Sequence, residues 1–310
     1  MRKLVITLLI LVLLASAALA ETAWEPLPLD DLTAIPHVAS PDNFSETGEG
    51  DEIVSVYEDE TLSVTVWRVW VDGARFNVAH VKIVDPSQLR TGVEYPYGKK
   101  NNKISTMAAA HHAVIAIGGD YFSDDTYGYV MRMMTVMPKR TNPSSKRDML
   151  FIDANGDFHF AIQSSQDPIY EELLAEDHEP AIVNIFNFGP ALVVDGEIRH
   201  ASDYAYYTKY NLGGKEPRSA IGQIGPLEYL LVVVDGRDAA GSDGCNAETL
   251  AQFMLDQGCV QAYNLDGGNS ALMYFGGENY SKKSFSSERA VSDFIYFGTL
   301  IDFGLDAEEN

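Results

Sequence analysis

Four short stretches of the 310-residue sequence place a charged residue beside glycine where an apolar run ends. Glycine at a strand end allows a sharp turn and lets a ligand approach the backbone closely. Exposed N–H groups in such a turn can bind an anion, and a neighbouring carboxylate can act on the bound molecule. The stretches are IGGDYF at 117–122, PRSAIG at 217–222, VDGR at 234–237 and NLDGGNS at 264–270.

Three carboxylates in these stretches are candidate catalytic groups. Asp266 is the preferred nucleophile or base, Asp120 is the alternative across the site, and Asp235 is the third candidate. The same three side chains are oxygen ligands of the kind that Ca²⁺ or Mg²⁺ prefers, although nothing in their spacing demands a metal. Asp195-Gly196 has a similar form, but it is predicted to be a plain hairpin turn.

The turn after Asp266 is longer than a two-residue hairpin needs, which favours a binding role. Its glycines would offer N–H groups to a phosphate or oxyanion. Asn269 is expected in the left-handed region, because Asn tolerates it well. Ser270 would either bind a phosphate oxygen or cap the next element. The candidate binding residues in glycine-containing turns are Gly119, Gly267, Gly268, Asn269 and Ser270.

Three arginines are candidates to bind an anionic substrate. A guanidinium can hold two phosphate oxygens at once, which suits Arg218 and Arg237. Arg289 is the third candidate, and a surface ion pair with Asp293 is the alternative for it. The chain has a formal net charge of −23, so its surface repels nucleic acid and anionic membranes, and any anionic ligand needs such local cations.

Residues 1–20 resemble an export signal, with Arg2 and Lys3, an apolar run over 4–14 and small residues ending in ALA. An uncleaved anchor is the alternative, but the run is short for a bilayer span. The sequence therefore predicts an exported protein of the extracellular space or cell envelope, with no stable membrane span after cleavage.

The remaining chain is predicted to be an α+β domain with a strand-rich mixed sheet and few helices. Residues 21–50 are expected to be a linker or N-terminal arm, 51–303 the domain and 304–310 an acidic tail. Helices are predicted over 104–112 and 246–257. The second would separate Cys245 and Cys259 by about 20 Å, so two unpaired thiols are expected.

The run VVVDGRDAAGSDGCNAETLAQFMLDQGCVQAYNLDGGNSALM at 232–273 resembles the signature of the phosphodiester glycosidase family. AVIAIGGDYF, FGPALVVDGE, PRSAIG and SERAVSDFIYF resemble shorter segments of the same family, so the resemblance extends over residues 55–300. Three positions depart from the family pattern. Gly118 replaces a frequent Asn, Asn269 replaces Gly, and Ala271 replaces a hydroxyl residue.

The resemblance implies hydrolysis of a sugar-1-phosphodiester, of the N-acetylglucosamine-1-phosphodiester type, between the anomeric carbon and the phosphate oxygen. A glycan or sugar phosphate would be the partner, and no cofactor would be required. Two alternatives stay open. One is a non-catalytic envelope module that binds glycan phosphates, and the other is a hydrolase assisted by a divalent cation.

Overall fold

The structure is a computed structural model that describes residues 24–94, 101–120, 122, 128–141, 147–207 and 211–306. The expected export signal at 1–20 and the last four residues of the expected acidic tail lie outside these ranges. Within them, no helix is long and apolar enough to cross a bilayer.

The described residues form mainly short strands. The strands are β1 (Phe44–Thr47), β2 (Val54–Glu58), β3 (Leu62–Val71), β4 (Ala74–Ile83), β5 (Leu89–Val93), β6 (Asn102–Lys103), β7 (Ile115–Gly118), β8 (Tyr129–Arg132), β9 (Thr135–Thr141), β10 (Met149–Asp153), β11 (Phe158–Ala161), β12 (Ile182–Phe186), β13 (Ala191–Val194), β14 (Glu197–Ile198), β15 (Arg218–Gly225), β16 (Glu228–Val234), β17 (Gln261–Leu265), β18 (Met273–Phe275), β19 (Glu278–Asn279), β20 (Ala290–Val291) and β21 (Asp293–Phe297). The α-helices are α1 (Ile104–Ala110), α2 (Ile169–Leu173) and α3 (Ala247–Asp256).

The strands form three main sheets. A nine-stranded sheet has the order β1-β2-β3-β4-β16-β15-β17-β13-β14. Two five-stranded sheets have the orders β19-β18-β7-β21-β5 and β11-β10-β12-β8-β9, and β20 pairs with β6. The strand-rich α+β class predicted from the sequence is confirmed.

The sheets are antiparallel rather than mixed, which corrects one part of that prediction. Every strand pair in the described residues is antiparallel. Helix α3 carries the chain from β16 over β15 to β17, and β15 pairs antiparallel with both.

The main core lies between the sheets, and helices cover the outer faces. In β16, Leu231 and Val233 point into the core shared by all three sheets, whereas Leu230 and Val232 pack with α3 on the opposite face. Because both faces of β16 are buried, its sequence is a continuous apolar run rather than an alternating one. Helix α1 covers the outer face of the sheet that contains β7 and β21.

The segment before the domain is attached along its described part. Strand β1 pairs with β2 at the edge of the nine-stranded sheet. The Arg90 guanidinium donates to the carbonyls of Pro28 (3.2 Å) and Asp31 (2.6 Å), and His37 forms a β-bridge with Thr299. These contacts attach the described part of residues 21–50 to the domain.

Several strand tips meet at one place because of the register. Arg218 pairs with Val234, so the start of β15 lies beside the end of β16, and Ser219 pairs with Leu265 at the end of β17. In the neighbouring sheet, Phe294 pairs with Gly118, so the start of β21 lies beside the end of β7. The sequence stretches expected to carry chemistry follow or begin these same strands.

The two cysteines are expected to be unreactive in the folded protein. Cys245 and Cys259 are free and buried, as predicted, and burial raises the pKa of each thiol to about 12. Because the thiolate is the reactive form, a thiol reagent such as DTNB should modify neither residue near neutral pH and both after denaturation. Fast reaction of one thiol in the native protein would contradict this placement.

Candidate active site

Two strand tips from different sheets are joined beside Asp266. The Asp266 amide donates to the Gly119 carbonyl at 3.0 Å, which ties the end of β17 to the end of β7. Gly119 has no room for a side chain, because an added Cβ would lie 2.2 Å from an oxygen of the Asp293 carboxylate. The glycine is therefore required by a close approach.

Asp120, the next residue, is buried and held by a third sheet. Its Oδ2 accepts the Asn187 amide at 2.7 Å, just past the end of β12, and Arg132 Nη2 at 3.0 Å. Its own amide donates to Asp293 Oδ1 at 3.0 Å. Its other carboxylate oxygen is buried without a hydrogen-bond partner among the described residues. One carboxylate thus joins three strand tips.

Arg132 is the cation at the centre of these contacts. Its Nε and Nη2 donate to Asp293 Oδ2 at 2.9 and 2.6 Å, and Nη1 donates to the carbonyls of Met131 and Ile185. The guanidinium carbon lies 3.8 Å from the centre of the Phe186 ring. Asp293 is therefore engaged by Arg132, rather than forming the surface pair with Arg289 that was considered from the sequence.

A cavity of about 300 Å³ opens beside the start of β15 and the end of β17. It brings together seven of the eleven residues predicted to form the site, and it also contains polar and aromatic residues that the sequence did not single out. The predicted residues in its wall are Arg218, Arg237, Asp266, Gly267, Gly268, Asn269 and Arg289, and the additional ones include Phe188, Asn211, Glu216 and Asn264.

Arg218 lies in the cavity wall, and part of its guanidinium hydrogen-bonds to backbone carbonyls. Its Nε donates to the Cys245 carbonyl at 3.1 Å, and Nη2 donates to the carbonyls of Asn211 (2.6 Å), Leu212 (3.3 Å) and Gly214 (2.9 Å). These carbonyls fix its direction without neutralising its charge. Burial is the main influence on this side chain and lowers its pKa.

Arg237 contacts two other residues of the wall. Its Nε donates to Glu216 Oε2 at 2.9 Å, its Nη2 lies 2.8 Å from the same oxygen, and its Nη1 donates to Asn269 Oδ1 at 2.6 Å. Asn269, where the family pattern has Gly, thus orients a candidate phosphate-binding group. Arg237 is partly exposed, so a ligand in the cavity can reach it.

Asp235 is not part of the cavity, which corrects its candidacy as a catalytic residue. Its Oδ2 accepts Arg75 Nε at 2.7 Å, and its Oδ1 accepts Asn77 Nδ2 at 3.0 Å and the Lys282 amide at 2.9 Å. It follows β16 and turns toward β4, where Arg75 lies. Its two oxygens are therefore used by a buried ion pair, one side-chain amide and one backbone amide.

The turn after Asp266 differs from the expected anion-binding loop in two respects. Gly268, not Asn269, takes the left-handed conformation, with φ 59°. The Gly268 amide donates to the Pro217 carbonyl at 2.8 Å, so it is already used. At Gly267 an added Cβ would lie 2.6 Å from that same carbonyl oxygen, which explains the glycine there.

Two departures from the family pattern lie close to this turn. At Gly118 an added Cβ would lie 3.2 Å from the Ser270 carbonyl oxygen and 3.3 Å from a methyl carbon of Ile104, so a larger residue would require a local shift. Ala271 is buried. The Ser270 hydroxyl is buried without a hydrogen bond of standard geometry among the described residues.

Asp266 and Asp120 both have raised pKa values. Burial raises the pKa of Asp266 to about 6, and the nearby Ser270 hydroxyl and Arg289 charge oppose this shift. Burial also raises the pKa of Asp120, against the attraction of Arg132 and together with the repulsion of Asp293. Oδ2 of Asp266 is buried with no hydrogen-bond partner in the described ranges. A carboxylate so poorly stabilised is a stronger base and a better nucleophile than an exposed one.

Arg132, Glu216 and Asn187 were not found from the sequence. Arg132 gave the clearest signal, since an isolated arginine in the apolar stretch YVMRMM is rarely buried without a partner. Nothing local to Glu216 or Asn187 marks them, because their positions depend on contacts between distant strands.

The three aspartates proposed as ligands of a divalent cation do not form a group with metal-ligand spacing. In the part of the chain that the structure describes, one group of three has such spacing, namely His37, Asp302 and Asp306. It lies where the N-terminal arm meets residues 302–306, and it does not line the cavity.

Comparison with known proteins identifies the family. The sequence model of the phosphodiester glycosidase family matches residues 111–298, more than half of the chain. The chain therefore belongs to this family of hydrolases, and the resemblance of 232–273 is confirmed. The matched region contains the cavity residues and the Arg132 contacts.

Individual relatives are distant. The catalytic domain of zebrafish N-acetylglucosamine-1-phosphodiester alpha-N-acetylglucosaminidase, auto-inhibited by its pro-peptide, is similar in fold with a TM-score of 0.58 and 18% identity, covering 83% of this chain and 88% of that one. A hypothetical protein from Synechocystis has a TM-score of 0.53 and 16% identity, with 78% and 63% covered.

One curated relative matches over a shorter region. The SPbeta prophage-derived uncharacterized protein YomE of Bacillus subtilis (strain 168) is 37% identical over 112 residues, or 36% of this chain. The match covers only 17% of the relative's own length, so the chain corresponds to a small part of that protein.

Replacing Asp266 by Asn should stabilise the protein at about pH 8. The raised pKa means that ionising this carboxyl group in the folded state costs free energy, whereas Asn carries no charge. We expect a gain in unfolding free energy of about 2 kcal/mol, reduced from the full shift because the side chain is partly exposed. The gain should fall as the pH decreases from 6 toward 3.8 and vanish below that range.

Urea denaturation at several pH values measures this effect. Asp256→Asn, at the exposed end of α3, is the matched control and should change stability by less than about 0.5 kcal/mol. A loss of stability in Asp266→Asn at pH 8 would contradict the assignment of an unfavourably buried carboxylate.

Proposed function

We propose that the chain is a glycosidase that hydrolyses a sugar-1-phosphodiester between the anomeric carbon and the phosphate oxygen. The main supporting observation is that Asp266, a carboxyl group with a pKa of about 6, shares one cavity with Arg218, Arg237 and Arg289. The family assignment supports the same reaction class. An N-acetylglucosamine-1-phosphodiester is the substrate type that we favour, by analogy with the zebrafish structural relative.

The arginines would hold the phosphate. Arg218 is suited to this role because backbone carbonyls orient it while leaving its positive charge uncompensated by a contacting carboxylate among the described residues. A guanidinium binds two phosphate oxygens and stabilises the negative charge that develops as the bond to the sugar breaks. Phosphate leaves more readily than an alcohol, so protonation of the leaving group is less important than in ordinary glycosidases.

Asp266 would act at the anomeric carbon. Positive charge develops there in the transition state, and a desolvated carboxylate stabilises it strongly, either as nucleophile or as base for water. Asp120 is held by Arg132 and Asn187 and does not line the cavity, so we assign it a positioning role that keeps Gly119 and Asp266 in place.

The pattern of residues 1–20 is the basis for proposing export to the extracellular space or cell envelope, where phosphodiester-linked glycans would be available. The net charge of −23 disfavours nucleic acid as a partner, and the cavity arginines would supply the local positive charge that a sugar phosphate needs. The binding-module alternative uses the same cavity, and the loss of a hydroxyl at Ala271 is the observation that favours it.

The purified protein should hydrolyse a para-nitrophenyl or nucleotide-linked N-acetylglucosamine-1-phosphate. Asp266→Asn should lower kcat by about 10²- to 10⁴-fold while substrate still binds, because the arginines remain. Asp256→Asn should retain full activity. Substrate binding without turnover in the wild-type protein would instead support a binding module.

Chelation tests the metal-assisted alternative. Because the candidate carboxylates do not converge on a cation-sized site, EDTA should leave both the rate of hydrolysis and the Tm unchanged. Loss of activity on chelation, with recovery on adding Ca²⁺ or Mg²⁺, would favour metal-assisted hydrolysis. A lower Tm without loss of activity would instead indicate that a cation binds the group formed by His37, Asp302 and Asp306.

A further inference from the structure

Glu216 places a negative charge next to the groups that would bind phosphate. Its Oε2 lies 2.9 Å from Arg237 Nε and 2.8 Å from Arg237 Nη2, which is the contact that a phosphate oxygen would otherwise make. Its charge also acts on Arg218, where it favours the charged guanidinium. Glu216 is therefore close enough to influence both of these arginines.

The backbone holds Glu216 in this position. Its amide donates to the Cys245 carbonyl and its carbonyl accepts the Cys245 amide, both at 3.1 Å. It precedes Pro217 and β15, whose first residue is Arg218. Its side chain is 27% exposed and lines the cavity. This backbone bridge fixes the position from which the carboxylate reaches Arg237.

A fixed negative charge affects the substrate and product of the proposed reaction differently. A phosphodiester carries one negative charge, whereas a phosphomonoester carries about 1.5 to 2 near neutral pH. Repulsion by a nearby carboxylate grows with the charge of the ligand, so it penalises the monoester more. The same repulsion reduces the net benefit of each arginine.

We propose that Glu216 determines the charge specificity of the cavity: it makes the site accept singly charged phosphodiesters and release doubly charged phosphomonoesters. This inference rests on the proposed function, because it assigns the phosphate group to the cavity that contains Arg218 and Arg237. Glu216 limits product inhibition because its carboxylate competes with the doubly charged phosphomonoester for Arg237.

Binding of two small phosphates tests this role without catalysis. Dimethyl phosphate carries one charge and methyl phosphate carries two at about pH 8. In calorimetric titrations with Glu216→Gln, we expect methyl phosphate to bind about tenfold more tightly than to the wild type, and dimethyl phosphate to change by less than about threefold. Glu228→Gln is the matched control and should change neither affinity. Its side chain is 29% exposed, pairs with His80 and lies at the opposite end of β16.

The outcomes separate this inference from the proposed function. Weaker binding of both phosphates to Glu216→Gln would show that Glu216 serves only to position Arg237, and would overturn the inference. Equal tightening of both would also overturn it, because no charge discrimination would remain to explain. If no phosphate binds to any variant, the cavity is not a phosphate site, and the proposed function fails as well.

Discussion

The buried guanidinium of Arg132 is the interaction on which the rest of the site depends. It lies on β8 and contacts Asp293 at the start of β21 and Asp120 after β7, so it joins the two five-stranded sheets at one point. A fully buried arginine is tolerated only when ion pairs and hydrogen bonds replace the water it loses. The two carboxylates, two carbonyls and the Phe186 ring supply that replacement. Removing one partner would leave uncompensated charge in the interior, which is why we regard this contact as the constraint that fixes the strand tips.

This constraint explains the electrostatics of the cavity. Asp293 and Asp120 share the buried Arg132 guanidinium, whereas Asp266, which follows β17 in the nine-stranded sheet, has only the Ser270 hydroxyl and the charge of Arg289 as its favourable influences. Its amide is fixed to Gly119, and the glycine is required because the Asp293 carboxylate leaves no space for a Cβ. The Asp266 carboxyl group is therefore unfavourable to ionise, and it lies close to arginines that can hold an anion. That combination suits a reaction in which negative charge leaves with phosphate and positive charge develops on carbon.

Much of this arrangement could be predicted from the sequence, because glycine beside a charged residue at a strand end is a local signal. This signal identifies Asp266, Arg218 and Arg237 as candidates. The register of β15, β16 and β17 brings these three residues together. Asp235 has the same local signal, yet it pairs with Arg75, because the direction of a side chain after a strand depends on its neighbours in the sheet. The sequence predicts the left-handed conformation at Asn269, but Gly268 adopts it, because the turn geometry depends on the carbonyl of Pro217, just before β15. Glu216 and Asn187 carry no local pattern, and only the folded chain places them.

We infer that strand tips fixed by Arg132 hold Asp266 in a poorly solvated position beside the candidate anion-binding arginines. Carbon-13 NMR titration of the aspartate side-chain carboxyl carbons measures this directly, with Asp266 assigned by comparison with Asp266→Asn. We predict that the Asp266 carboxyl group titrates with a midpoint near 6. A midpoint near 3.8, the ordinary value for Asp, would show that water stabilises this carboxylate fully and would contradict its placement in a poorly solvated cavity.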